Sequence, residues 1–172
     1  DYVEIPNSND FDLSEGTVAV RVNPGDPLQS GVVVSRDHNG FGDGGHFRVK
    51  VDGDGSVSVR IQSDSGSKYL STANNLVEPD GWHHIAVSFG DEGVQIFVDG
   101  VQAATNPYTG GIDGNDQPWV LGASMEKSTE GAADKLKDFF KGEVDEFLVV
   151  DRQMTADEIA DVVARGASHV ML

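Results

Sequence analysis

The acidic side chains of this chain lie mostly in segments that read as turns, and two such segments could hold a metal ion. One surrounds Asp64, and the other contains Asp113, Asn115 and Asp116. Ca²⁺ takes about six to eight oxygen ligands, often from loop carboxylates, amide oxygens and backbone carbonyls. Calcium is therefore the leading candidate cofactor, and the alternative is that these residues are solvated turn formers.

A second candidate site is the long polar segment 35–45. Sugar-binding sites place a few polar groups around an apolar or aromatic surface, and this segment supplies both kinds of residue. Two tyrosines from later segments could reach the same rim. The candidate ligand-binding residues are Asp37, Asn39, Phe41, Asp43, Tyr69 and Tyr108. The alternative is a glycine-rich connection between strands that binds nothing.

The acidic run 143–146 raises the question of catalysis. Glycan-cleaving enzymes place a pair of carboxylates around the scissile bond, and alternate residues of a strand share one face. Glu143 and Asp145 would share a face, but Phe147 follows them there, and Glu146 faces the other way with Leu148. The set of three carboxylates is incomplete, so we expect no catalytic residue and no enzyme activity.

Charge and composition exclude several other functions. Twelve Lys and Arg stand against 29 Asp and Glu, giving a net charge of −17, so no basic footprint exists for a nucleic acid. No apolar run approaches the length of about 20 residues that a membrane helix needs, so membrane insertion is not expected. Without cysteine the chain forms no disulfide or thiolate metal site. The pair His83 and His84 has no partner at a ligand-like spacing, which disfavours zinc.

The elements that must position these residues are mostly strands. Apolar residues alternate with polar ones in many short segments separated by Gly- and Asp-rich turns, and 21 of 172 residues are Gly. Trp82 is expected in the core, because Ile85 and Val87 continue a half-buried run from it. The predicted strands cover 2–5, 16–22, 32–34, 46–51, 56–61, 82–89, 94–98, 119–121 and 144–150. This spacing is typical of an antiparallel sandwich or barrel.

One helix is predicted near the end of the chain. Thr155 and Glu158 form a capping-box pattern, Met154 can pack onto Ile159, and Gly166 can end the helix. The charged segment 127–141 is interpreted as a long loop with a short helical stretch.

Two consecutive motifs carry a resemblance to a known family. Residues 81–87, Gly-Trp-His-His-Ile-Ala-Val, and 94–100, Val-Gln-Ile-Phe-Val-Asp-Gly, are similar to the central signature of laminin G-like domains of the concanavalin A-like superfamily. Residues 2–6, 120–122, 142–147 and 154–159 resemble the first strand, a late strand, the closing strand and the short helix of that family. The chain looks like a bacterial-type variant.

The resemblance implies an all-β, two-sheet antiparallel jelly roll with a short C-terminal helix. It also implies a rim calcium held by an aspartate from each of two loops and by main-chain carbonyls, and Asp64 and Asp116 lie nearest those places. It further implies a secreted or cell-surface multidomain parent.

We therefore expect residues 1–172 to form a single domain, excised from a larger extracellular protein. Its expected function is non-catalytic binding of a carbohydrate or an extracellular protein in adhesion, with neighbouring domains of the same polypeptide as further partners. The expected localisation is extracellular or cell-surface. Two alternatives stay open: a glycan-cleaving enzyme of the same superfamily, and a structural spacer that binds nothing alone.

Overall fold

The computed structural model describes residues 1–37, 45–126 and 135–166 of the chain. In these residues antiparallel strands build two large sheets, and a single α-helix follows the last strand. The strands are β1 (Val3–Ile5), β2 (Gly16–Pro24), β3 (Gly31–Asp37), β4 (His46–Val51), β5 (Val57–Ser63), β6 (Gly66–Ser71), β7 (His83–Gly90), β8 (Gly93–Val98), β9 (Val101–Asn106), β10 (Trp119–Leu121), β11 (Ser124–Glu126), β12 (Lys135–Lys137) and β13 (Gly142–Val150). The helix α1 spans Ala156–Arg165.

The two sheets contain six and five strands. The six-stranded sheet has the order β1-β10-β3-β4-β5-β6, and the five-stranded sheet has the order β13-β2-β7-β8-β9. The short hairpin β11–β12 packs beside β3, where Ser35 Oγ donates a hydrogen bond to the Ala123 carbonyl. The predicted jelly-roll sandwich is confirmed.

Alternation along the strands determines which residues enter the core between the sheets. Val18, Val20 and Val22 of β2 face inward, as do Phe47 and Val49 of β4, and all five are buried. The largest side chain of the core is Trp119, whose ring makes edge contacts with Phe11, Phe47 and Phe147. The outer face of each sheet is the face that points away from this core.

The predicted closing helix is present with its expected cap. The Thr155 hydroxyl accepts from the Glu158 amide, and the Glu158 carboxylate accepts from the Thr155 amide. Ile159 and Val162 pack on the outer face of the five-stranded sheet, against a small apolar cluster that includes Phe97 and Leu148. The helix therefore covers part of that face. No helix among the described residues is long and apolar enough to cross a membrane.

A bulge in β13 corrects the predicted faces of that strand. Its register against β2 shifts between Asp145 and Leu148, and Glu146 takes a left-handed backbone conformation with φ 48°. Phe147 therefore turns into the core against Trp119, whereas Leu148 packs under the helix. The extra residue of the bulge inverts the alternation, so the predicted grouping of Phe147 with Asp145 was wrong.

Four strands were absent from the sequence prediction: β6, β9, β11 and β12. Both β6 and β9 are edge strands, and most of their residues are polar, small or exposed, so they carry little apolar periodicity. Within the segment predicted as a loop, residues 135–137 form a strand, whereas 127–134 lie outside the described residues.

Candidate functional site

The outer face of the six-stranded sheet carries a row of three large side chains across β4, β5 and β6. Arg48 pairs with Arg60 across β4 and β5, and Arg60 pairs with Tyr69 across β5 and β6. These residues alternate with the core residues Phe47, Val49 and others, so their side chains point outward. We call Arg48, Arg60 and Tyr69 the basic row.

The three members of the basic row differ in exposure and contacts. Tyr69 is 59% exposed, and its ring lies 5.7 Å from the guanidinium carbon of Arg60. Arg60 is buried and donates from Nη2 to Gln62 Oε1 at 2.8 Å. Arg48 is half-buried and makes no hydrogen bond or ion pair with any residue that the structure describes. The row therefore offers the exposed ring of Tyr69 and the half-buried side chain of Arg48, and the buried Arg60 lies between them in the sheet.

A buried polar cluster lies one row further along the same face. Asp37 Oδ1 lies 3.4 Å from His46 Nδ1, and Ser124 Oγ donates to Asp37 Oδ2 at 2.8 Å. His46 Nε2 is buried and has no hydrogen-bond partner among the described residues. Asp37, predicted as a ligand residue, is 9% exposed and already accepts from these neighbours. The predicted residues Asn39, Phe41 and Asp43 lie outside the described residues.

The predicted ligand residue Tyr108 connects two loops. Its hydroxyl accepts from the Ser63 amide at 3.0 Å and donates to the Gly66 carbonyl at 2.8 Å, and the side chain is 8% exposed. These hydrogen bonds fix the turn between β5 and β6, which contains Asp64. Tyr108 thus lies close to β6, the strand that carries Tyr69, but its side chain is buried and its hydroxyl is hydrogen-bonded to the backbone.

The candidate metal ligands lie at one end of the six-stranded sheet, on loops attached to different strands. Asp64 is exposed after β5, whereas Asp113 and Asp116 are exposed before β10. β10 and β5 are three strand positions apart, or about 14 Å at the usual spacing. No group of three or more His, Cys, Asp or Glu among the described residues could hold a metal ion. The candidate carboxylates therefore come from separate loops, and the described residues assemble no metal-binding cluster from them.

Asn115, the fourth candidate metal ligand, is buried, and its side chain is hydrogen-bonded to the surrounding backbone. Its Nδ2 donates to the carbonyls of Arg36 and Gly45, and its Oδ1 accepts from the Gln117 amide. The nearby guanidinium of Arg36 donates to the carbonyls of Phe11, Asn115 and Gln117. Burial lowers the pKa of Arg36 to about 10, against the opposing effect of Asp12 and Asp116. This network holds the loop before β10 in place.

Trp82 is exposed, which corrects its predicted place in the core. The side chain is 42% exposed, and the guanidinium of Arg21 lies 5.2 Å from its ring. Arg21 also contacts Glu146 at 3.8 Å. The prediction failed because Trp82 and Ile85 are an odd number of residues apart, so alternation places them on opposite faces. Trp82 and Arg21 form a second exposed surface, on the outer side of the five-stranded sheet.

His84 lies buried beside this second surface. It pairs with Arg21 across the strands, and its Nδ1 has no hydrogen-bond partner among the described residues. Burial lowers the pKa of His84 from 6.5 to about 4, with Asp99 opposing the shift and Arg21 adding to it. The imidazole is therefore neutral near pH 7, which leaves Arg21 as the cation next to Trp82.

The sequence predicted Tyr69 as a ligand residue, but neither arginine of the basic row nor the Trp82 surface. A partial signal was present for the two arginines. The turn 52–55 predicts a hairpin, and alternation places Arg48 and Arg60 on the side opposite the valines. Counting outward from residues 52–55 would pair residue 48 with residue 59. In the structure Asp52 lies opposite Ser56, and this register pairs Arg48 with Arg60.

The arrangement of the sheets and the closing helix defines the class of this protein as a concanavalin A-like jelly roll. A family model of the concanavalin A-like lectin/glucanases superfamily, of the laminin G-like type, matches residues 1–160. The chain belongs to this family. No curated protein sequence matches it.

Solved structures share the fold at low sequence identity. A heptameric SAP-like pentraxin from Limulus polyphemus is 18% identical with a TM-score of 0.64, over 96% of this chain and 82% of the other. CBM40 of the Ruminococcus gnavus IT-sialidase is 18% identical with a TM-score of 0.65, over 95% and 96% of the two chains, and its complex with α2,3 sialyllactose has the same values. Domain 4 of AbnA, a GH43 extracellular arabinanase from Geobacillus stearothermophilus, in complex with arabinotriose, is 16% identical with a TM-score of 0.67, over 94% and 72%.

Proposed function

We propose that this domain is a non-catalytic carbohydrate-binding module of a secreted or cell-surface protein, and that it binds its ligand on the outer face of the six-stranded sheet. The observation that carries the proposal is the exposed ring of Tyr69 beside two arginines. An aromatic ring offers an apolar surface to the C–H face of a sugar, while guanidinium groups donate hydrogen bonds to its oxygens.

Similar folds in sugar complexes support this proposal. The CBM40 module is bound to sialyllactose in one solved structure, and the arabinanase domain is in complex with arabinotriose in another. Both are jelly rolls that accompany an enzyme in their parent proteins, and that arrangement suits a module whose neighbouring domains do other work.

The acidic run of β13 supports the non-catalytic part of the proposal. Glu143 Oε2 accepts from Asn23 Nδ2, and Asp145 Oδ1 accepts from the Glu146 amide. The Glu146 carboxylate turns toward Arg21 at the bulge. These three carboxylates thus have separate partners, and they lie on the five-stranded sheet, away from the basic row.

A second candidate function is protein binding through the Trp82 surface. Trp and Arg are the residue types most enriched where protein interfaces concentrate their binding energy. Trp82 and Arg21 are exposed together, with Glu146 beside them as a polar rim. The partner proposed for this surface is a neighbouring domain of the same polypeptide.

Titration against a glycan array, followed by calorimetry on the best ligand, tests the sugar-binding proposal. Tyr69→Ala should weaken binding at least about tenfold, equivalent to 1.4 kcal/mol. The matched control is Tyr2→Ala, because Tyr2 is 50% exposed and lies at the end of the same sheet beside β1. Equal affinities of both variants and the wild type would refute the site. Loss of binding on Trp82→Ala alone would move the ligand to the second surface.

A further inference from the structure

We infer that a cavity at the open side of the sandwich binds one neutral sugar unit, the terminal unit of a glycan whose next unit contacts Tyr69. This inference rests on the proposed sugar-binding function and adds to it a second subsite and the class of sugar that enters it. The cavity has a volume of about 350 Å³ and lies between the β5–β6 turn and the segment that follows β9. Three features of the described residues support the inference: the position of the cavity, its fixed floor and its free donors.

The first feature is the position of the cavity beside two sheet edges. β6 ends the six-stranded sheet, β9 ends the five-stranded sheet, and the two strands contact each other. Successive residues of a strand point to opposite faces, so Lys68 lines the cavity whereas Tyr69 lies on the outer face. A glycan that contacts the exposed Tyr69 ring can therefore cross the free edge of β6 and place its end in the cavity.

The second feature is a floor that is fixed before a ligand binds. Tyr108 lines the cavity, and its hydroxyl connects the Ser63 amide to the Gly66 carbonyl. The Tyr108 amide donates in turn to Asn106 Oδ1 at 3.1 Å. These hydrogen bonds hold the two walls of the cavity together. A ligand can therefore bind without ordering either loop, which lowers the entropic cost of binding.

The third feature is a set of hydrogen-bond donors that have no partner among the described residues. Lys68 forms no ion pair with them, unlike Lys50, which is paired with Asp52. Asn106 and Thr109 also line the cavity, and neither the Nδ2 group of the first nor the hydroxyl of the second has a described partner. An ammonium group offers three donors and an amide nitrogen offers two. Such a lining suits a ligand with several closely spaced acceptor oxygens, as in a sugar ring.

Charge and size restrict the ligand to one neutral unit. Lys68 is the only charged residue among the described lining residues, and Asp64, next to the lining residue Ser65, carries the opposite charge. These two charges cancel, and the net charge of −17 repels anions, so an acidic ligand gains little here. Small-molecule sites have volumes of about 300–1,000 Å³, and this cavity is at the lower end of that range. It therefore suits a monosaccharide unit better than an oligosaccharide.

The test titrates the intact chain with free neutral monosaccharides and follows binding by saturation-transfer NMR. The probes are D-glucose, D-galactose, D-mannose, D-xylose, L-arabinose, L-fucose and N-acetyl-D-glucosamine. We expect at least one of them to bind with a dissociation constant in the millimolar range. Lys68→Gln and Thr109→Val should each weaken that binding at least about fivefold, because each removes a hydrogen-bond donor to the sugar.

The matched controls are Lys141→Gln and Thr105→Val, which make the same changes at exposed positions outside the cavity and should keep the wild-type affinity. Thermal unfolding of each variant shows that the fold is retained. If no monosaccharide binds, or if neither Lys68→Gln nor Thr109→Val weakens binding, the inference is wrong. The sugar-binding function then stands if Tyr69→Ala still weakens binding of an arrayed glycan. If neither a monosaccharide nor an arrayed glycan binds, both proposals fall together.

Discussion

Mild acid should destabilise this domain through protonation of His84. The side chain is 4% exposed, and its Nδ1 has no hydrogen-bond partner among the described residues. Protonation would place a charge and an unsatisfied donor in the interior, next to the cation Arg21. Burial therefore lowers the pKa of His84 to about 4 from an ordinary value of 6.5.

The sign follows from proton binding. Between pH 6.5 and 4 the unfolded chain binds more protons at this residue than the folded chain, so stability rises with pH across that window and falls as the solution is acidified. With these two pKa values, the free energy of unfolding should fall by about 2 kcal/mol from pH 7 to pH 5. The attraction of Asp99 for a protonated ring is already included in the lowered pKa.

Urea unfolding at pH 7 and pH 5, followed by tryptophan fluorescence, measures this difference. His84→Gln should remove most of the pH dependence, whatever its effect on stability at pH 7. His83→Gln is the matched control at the adjacent position, and it should keep the dependence. If the free energy of unfolding of the wild type falls by less than about 0.5 kcal/mol from pH 7 to pH 5, His84 is not the group responsible. The same conclusion follows if His84→Gln loses as much stability over this interval as the wild type.

Two further predictions concern the exposed tryptophan and calcium. Trp82→Ala should lower the free energy of unfolding by less than about 1 kcal/mol, because the ring is not in the core, and a loss above about 3 kcal/mol in the same assay would contradict this. If calcium binds the folded domain at Asp64 or Asp116, millimolar calcium should raise the melting temperature and chelator should reverse the rise. The responsible Asp→Ala variant should lose the shift and Asp54→Ala should keep it; a melting temperature that ignores calcium would remove the calcium proposal.

Much of the fold was predictable because its signals are local. The valines of β2 and the alternation in β4, β5 and β8 indicate a sheet with one buried face. The Thr155–Glu158 pattern indicates the start of the helix. Edge strands such as β6 and β9 lack this signal, because they bury few side chains. The bulge at Glu146 was not predictable, since a single inserted residue leaves the local composition unchanged.

The candidate site was harder to predict because it depends on pairing between strands. Alternation shows that Arg48 faces away from the core, but only the register of β4 and β5 places Arg60 opposite it. Tyr69 was predicted as a ligand residue, yet its proximity to Arg60 depends on β6, a strand that the pattern did not reveal. The relative placement of the loops that carry Asp64 and Asp116 depends on strand order, which a single sequence does not specify.

The position of β13 in the sheet affects how the chain folds during synthesis. β2 is hydrogen-bonded to β7 on one side and to β13 on the other, and more than 100 residues separate β2 from β13 along the chain. Until residues 142–150 leave the ribosome, one edge of this valine-rich strand is unpaired. An unpaired apolar edge recruits other strands. We therefore expect nascent chains stalled before β13 to aggregate more readily than chains that include it, because β13 replaces the regular edge of β2 with a bulged edge strand.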